Sequence, residues 1–176
     1  MCIRDSFYMV RCARLYDIPF TLGCLVFVSR RYALQFDRTE QLAQELDLPV
    51  SVHDREAHAE MYELLRQYRP RGVLHCYSGS AEDAAWLTAQ GMALGFGGAV
   101  TYKGAKRAAK VLAMVPHELA VLETDCPYMS PEPVRGTRND SRNIAHVAAK
   151  IGEIWQMDAQ SVLDLTAENA KRIFNQ

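Results

Sequence analysis

From Phe36 onward, helical and strand patterns alternate four times, and this order constrains the fold more than any other feature of the chain. FDRTEQLAQELD places Phe36, Leu42, Ala43 and Leu46 at helical spacing, and Leu48 to Val52 follows as a strand. REAHAEMYELLRQY puts Met61, Leu64, Leu65 and Tyr68 on one helical face, which Pro70 and Gly72 end before the strand GVLHCY. Ser80, with Asp83 three residues on, marks the start of a helix that Gly91 stops. MALGFGGAV reads as a glycine-broken strand, KGAKRAAKVLAMV as a basic helix and LAVLET as a fourth strand. The proline-rich loop CPYMSPEPVRGTRND follows, then helices over about Asn143 to Gln156 and Ala159 to Phe174. The strands are apolar throughout instead of alternating. That is the mark of an α/β fold with a parallel sheet buried beneath helices.

With 176 residues, 49% of them hydrophobic, there is material for one ordinary core. A net charge of −1 provides no bulk attraction to polyanions or anionic membrane, so phosphate must be met by a local basic cluster. The five cysteines are odd in number, scattered and without a C-x-x-C pair. This points to a reducing, cytoplasmic setting and away from a disulfide framework or a Cys-type zinc site. The longest apolar run, Ile18 to Val28, is too short to span a bilayer, and no A-x-A-like cleavage site follows it. Within it, Leu22 to Val28 is a candidate strand. Residues 1–35 otherwise lack the rhythm of residues 36–176 and are read as a separate N-terminal stretch.

His53, His75 and Asp125 each close a strand, and the glycine-broken strand closes on Gly97 and Gly98. Reactive groups of parallel α/β folds gather at the C-terminal ends of strands. Neighbouring strands stand about 4.8 Å apart, so two imidazoles and a carboxylate at such ends can converge on one zinc, manganese or similar divalent ion. His58, His117 and His146 are read as structural or solvated. Cys76 and Cys126 adjoin His75 and Asp125, and alternation along a strand turns them to the opposite side. Arg55, Ser78 before a helix start, and Lys103 after the glycine strand are candidates to meet phosphate, as are Arg135, Arg138 and Arg142 of the long loop.

The strings VSVHDREAH, GVLHCYSGSAEDA, GFGGAVTYK, LETDCPYMSPEPVRGTRND and TAENAKRIF resemble, in order and spacing, the second half of TatD-related metal-dependent deoxyribonucleases, over about Phe36 to Phe174. The resemblance implies a (β/α)8 TIM barrel of the metal-dependent hydrolase superfamily, of which the chain carries the last four β/α units. It implies a nuclease that hydrolyses phosphodiester bonds of DNA from a 3′ end, using one or two divalent ions (Mg, Mn or Zn). By position, His53, His75 and Asp125 match the family's ligands after the fifth, sixth and eighth strands. Asp125 also matches the catalytic carboxylate. Glu123 lies in the same string, with no ligand role attached.

Two family features have no counterpart. There is no H-x-H pair and no G-E-x-G-L-D string, and Thr39 stands where relatives often carry Gln. A full barrel takes about 250 residues. The expectation is therefore a truncated or frame-shifted form, or a half-barrel that needs a partner. It should have little nuclease activity of its own and self-associate through open sheet edges. Two other readings stay open: an amide or ester hydrolase of the same superfamily, and a non-catalytic fragment that associates through those edges.

Overall fold

The computed structural model describes residues 24–28, 43–54 and 57–174, with only the backbone course given for 24–28. The rest of the N-terminal stretch, most of the FDRTEQLAQELD helix, and Arg55 lie outside the described residues. The chain divides into two compact units: residues 1–72 with 174–176, and residues 73–173.

In the first unit, β1 (Cys24–Val28) and β2 (Val50–Asp54) run parallel, in register from Cys24↔Val50 to Val28↔Asp54. Of the candidate strand at Leu22 to Val28, Cys24–Val28 is a strand and its first two residues lie outside the described ones, and the expected Leu48–Val52 strand begins two residues later. Val50 and Val52 are fully buried, as central parallel strands require. The helix α1 (His58–Tyr68) buries Met61, Tyr62 and Leu65. Leu64 and Tyr68, expected on the same face, lie at its half-buried margins. The Asp54 carboxylate accepts from Ala57 N–H at 3.0 Å and pairs with the exposed His58 ring, so Asp54 anchors the start of α1 and His58 is its partner there. Arg69, in the left-handed region, ends the helix by returning its N–H to Leu65 O at 3.0 Å.

The second unit repeats the strand–helix rhythm. Strand β3 (Gly72–His75), whose first residue ends the first unit, pairs in parallel with β4 (Ala93–Phe96), and β4 pairs in parallel with β5 (Ala120–Leu122). Helices α2 (Ala81–Ala89), α3 (Lys106–Leu112), α4 (Ile144–Trp155) and α5 (Ala159–Phe174) complete the unit. The core joins Val73, Leu74, Leu94, Phe96 and Ala120 of the strands to Leu87, Val111, Leu112 and Ile151 of the helices. Ser80 caps α2 as its spacing to Asp83 predicts: Asp83 N–H donates to Ser80 Oγ at 3.0 Å. Gly91, at φ 82°, turns the chain from α2 toward β4.

Polar side chains tie the helices to the strands. Buried Asn169 of α5 donates to the carbonyls of His117 and Ala120 at 2.7 and 2.9 Å, holding the start of β5. Trp155 Nε1–H donates to Leu112 O at 2.8 Å, and its ring stacks on His117 at 4.1 Å. His117 is a packing residue. Among the described residues, no helix is long and apolar enough to cross a membrane.

Candidate metal centre

His75 is the last residue of β3. β5 stops at Leu122, but Glu123 extends its pairing by donating N–H to Phe96 O at 3.1 Å. Two residues on, Asp125 takes a positive φ of 52°, which folds the chain back at the strand end. Asn139 holds this turn. Its buried amide donates to Thr124 O at 2.6 Å and Tyr128 O at 2.7 Å, its N–H donates to Pro127 O, and its Oδ1 accepts from Asn143 at 2.9 Å. Asn139 thereby ties the start of the three-proline loop around Asp125, and Ser130, donating to Thr137 O, and Thr101, accepting from Glu132 N–H, hold its later part.

The three side chains meet closely. His75 Nδ1 lies 2.5 Å from Glu123 Oε2, and His75 Nε2 lies 2.8 Å from Asp125 Oδ1. The other Glu123 oxygen accepts from Cys76 N–H at 2.5 Å. Glu123 directly follows β5 and His75 ends β3, so its carboxylate must cross β4. Gly95 makes that crossing available: a Cβ there would stand 2.8 Å from Glu123 Cδ. The glycine in mid-strand marks a close approach.

Burial alone would lower the His75 pKa, but hydrogen bonds to Asp125 and Glu123 together with their charges outweigh it, and the imidazole is raised to about 10. Burial raises Glu123 above the usual carboxylate range, against the pull of His75. The Cys76 thiol is pushed up to about 12 by burial and by the neighbouring carboxylates, so it is no nucleophile at neutral pH. Cys76 corrects the expectation that it faces away from the site. It follows β3 at a positive φ of 52°, where the alternation of a strand no longer applies, and its thiol sits against Asp125.

Ligand atoms of His75, Glu123 and Asp125 all lie within 4.8 Å of one another. One imidazole and two carboxylates, half-buried and net anionic, fit a divalent ion of the zinc, manganese or magnesium group. Of the residues singled out in the sequence, the structure brings His75 and Asp125 together. His53 lies half-buried in β2 of the first unit. Ser78 and Lys103 are exposed, and Arg55 lies outside the described residues. Arg142 is held by Asp140 at 2.9 Å, and the Arg135 guanidinium lies 4.1 Å over the Tyr102 ring.

Glu123 and Asn139 were missed as site residues. Glu123 had a readable signal, since it stands two residues before Asp125 and opposite a glycine-broken strand. Asn139 had none, because its targets are backbone carbonyls brought near only by the loop's course.

The family described as TatD related DNase matches residues 29–175. An uncharacterised metal-dependent hydrolase, YabD of Bacillus subtilis, is 38% identical over 136 residues, covering 76% of this chain and 53% of its own. A 3'-5' ssDNA/RNA exonuclease TatD of Erwinia tasmaniensis is 30% identical, covering 81% of this chain and 58% of its own. The crystal structure of YjjV, a TatD homologue from Escherichia coli, superposes with a TM-score of 0.81 at 26% identity, over 97% of this chain and 68% of that one. The β/α units are therefore those of a TatD-type (β/α)8 barrel, and the chain spans about half the length of the curated relatives it matches. With the matched strings carrying its strand ends, the chain belongs to the TatD-related DNase family.

Proposed function

We propose that this chain supplies one side of the divalent-metal site of a hydrolase that cleaves DNA phosphodiesters from a 3′ end. The observation that carries the reading is the convergence of His75, Glu123 and Asp125 at the ends of β3 and β5. His75 and Asp125 hold the ion. His53 joins them on its sequence context, PVSVHD, and not on its placement. A bound divalent cation supplies Lewis-acid activation of water and of the phosphodiester, and the number of ions is one or two. Asp125, exposed enough to meet substrate at 20% of its side chain, orients water and accepts its proton. His75 acts as a neutral ligand once its ring proton is displaced.

The 3′-exonuclease direction and the DNA substrate rest on the TatD exonuclease relative and on the basic residues of the second unit. Arg55, Ser78 and Lys103 are assigned to substrate phosphate. Arg55 and Lys103 contribute through charge, and Ser78 through its place before the α2 N-terminus. A cytoplasmic location and self-association through strand edges belong to the same reading. Sedimentation of the purified chain as a monomer would remove the latter.

The deciding experiment is isothermal titration with Mn²⁺ and with Zn²⁺ on the wild type and His75→Ala, beside a 3′-labelled single-stranded DNA assay. Binding lost in the variant supports the site, and little DNA turnover by this chain alone is expected. A folded wild type that binds neither metal would sink the proposal.

A further inference from the structure

Three groups converge in the cluster, but they are not equivalent. Each oxygen of Glu123 already has a protein nitrogen at 2.5 Å: one faces Nδ1 of the His75 ring, and the other accepts from the Cys76 backbone N–H. Its side chain is only 14% exposed, and the space it fills is the one left by the missing side chain of Gly95. The opposite edge of the imidazole, Nε2, faces Asp125 Oδ1. A carboxylate bound to one ring nitrogen sets the orientation and proton position of a histidine whose other nitrogen is a ligand.

We infer that Glu123 is a positioning residue and not a metal ligand: it locks the His75 ring with Nδ1–H toward β5, and leaves Nε2 and the Asp125 carboxylate as the ligand pair. This rests on the metal-site reading above and deepens it. The arrangement needs a carboxylate specifically. An amide at position 123 has a single acceptor where two N–H groups converge, so its NH2 must oppose one of them. If that NH2 faces the ring, it favours a proton on Nε2, where the ion has to bind.

The test uses protein labelled with ¹⁵N in histidine, treated with chelator and then titrated with Zn²⁺. Long-range ¹H–¹⁵N spectra report which ring nitrogen of His75 carries the proton, with His75→Ala providing the assignment. The expected result is an Nδ1–H signal protected from exchange before and after Zn²⁺, with Nε2 alone shifting as the ion binds. Loss of Nδ1–H on adding Zn²⁺ would mean that Glu123 turns to the ion, and would overturn the inference. Glu123→Gln should lose the protected signal and weaken Zn²⁺ by about 10- to 100-fold, whereas unchanged affinity and an unchanged signal would also overturn it. Should that variant fail to fold, the wild-type titration still decides. A protected Nδ1–H with no response to Zn²⁺ would instead sink the metal-site reading, and the ligand pair with it.

Discussion

His75 at the end of β3 and Glu123 directly after β5, 48 residues apart in the chain and with β4 between them, are joined at 2.5 Å across the face of Gly95. The contact depends on a side chain that is not there. Gly95→Ala would place a methyl group 2.8 Å from the Glu123 carboxyl carbon. Glu123 is confined by its bonds to His75 and Cys76, so it must give up one of them or shift the strand. The expected cost is about 1–3 kcal/mol of stability, with weakened Zn²⁺ binding. Urea unfolding and calorimetric titration would check both, and a wild-type melting profile would show that the crossing has room for a methyl group.

In chelator-treated protein, the His75 pKa of about 10 lies above its unfolded value near 6.5. The folded state therefore binds more protons between these limits. The stabilisation is fully present below about pH 6.5 and is lost as pH rises through about 10. Stability measured from pH 6.5 to 10 should fall more steeply in the wild type than in His75→Ala. Parallel curves would show that the imidazole does not gain its proton on folding.

Divalent ions compete with that same proton. Zn²⁺ or Mn²⁺ binding should tighten from pH 6 toward 8 and release protons, seen as a dependence of the titration enthalpy on buffer ionisation heat. Binding that is independent of both pH and buffer would place the ion away from His75.

Asn139 ties together the two sides of the turn that carries Asp125. Asn139→Ala removes donors to the Thr124 and Tyr128 carbonyls and leaves buried acceptors unpaired, at about 1–3 kcal/mol. Metal affinity should fall with stability, although residue 139 is no ligand. Asn139→Asp should do no better, since a carboxylate would face two carbonyl oxygens. If metal affinity stays at the wild-type level while stability drops, the loop positions Asp125 by other means.

Ser80→Ala separates stability from the site. Loss of the α2 cap should cost about 1 kcal/mol while Zn²⁺ affinity holds. A coupled loss of metal binding would show that the cap also positions the His75 strand end.

The sequence alone determined the alternation of strands and helices, because burial of a parallel sheet demands uniformly apolar strands and covering helices of matching period. It also placed His75 at the end of an apolar run, where β3 ends, whereas β5 stops at Leu122, three residues before Asp125, and the motif strings pointed to the family. Ser80 as a cap and α5 over Ala159–Phe174 were legible for the same local reasons. Only the tertiary structure decided what depends on contacts between distant segments. The Glu123 carboxylate reaches His75 because β4 runs between their strands with a glycine at the crossing. Cys76 turns toward Asp125 because a positive φ ends the alternation of β3. Asn139 governs Asp125 because the proline loop brings two backbone carbonyls to its amide. Local pattern encodes which face a residue takes within its own element. Which groups share a site is set by register across strands and by loop closure, and neither has a period to read.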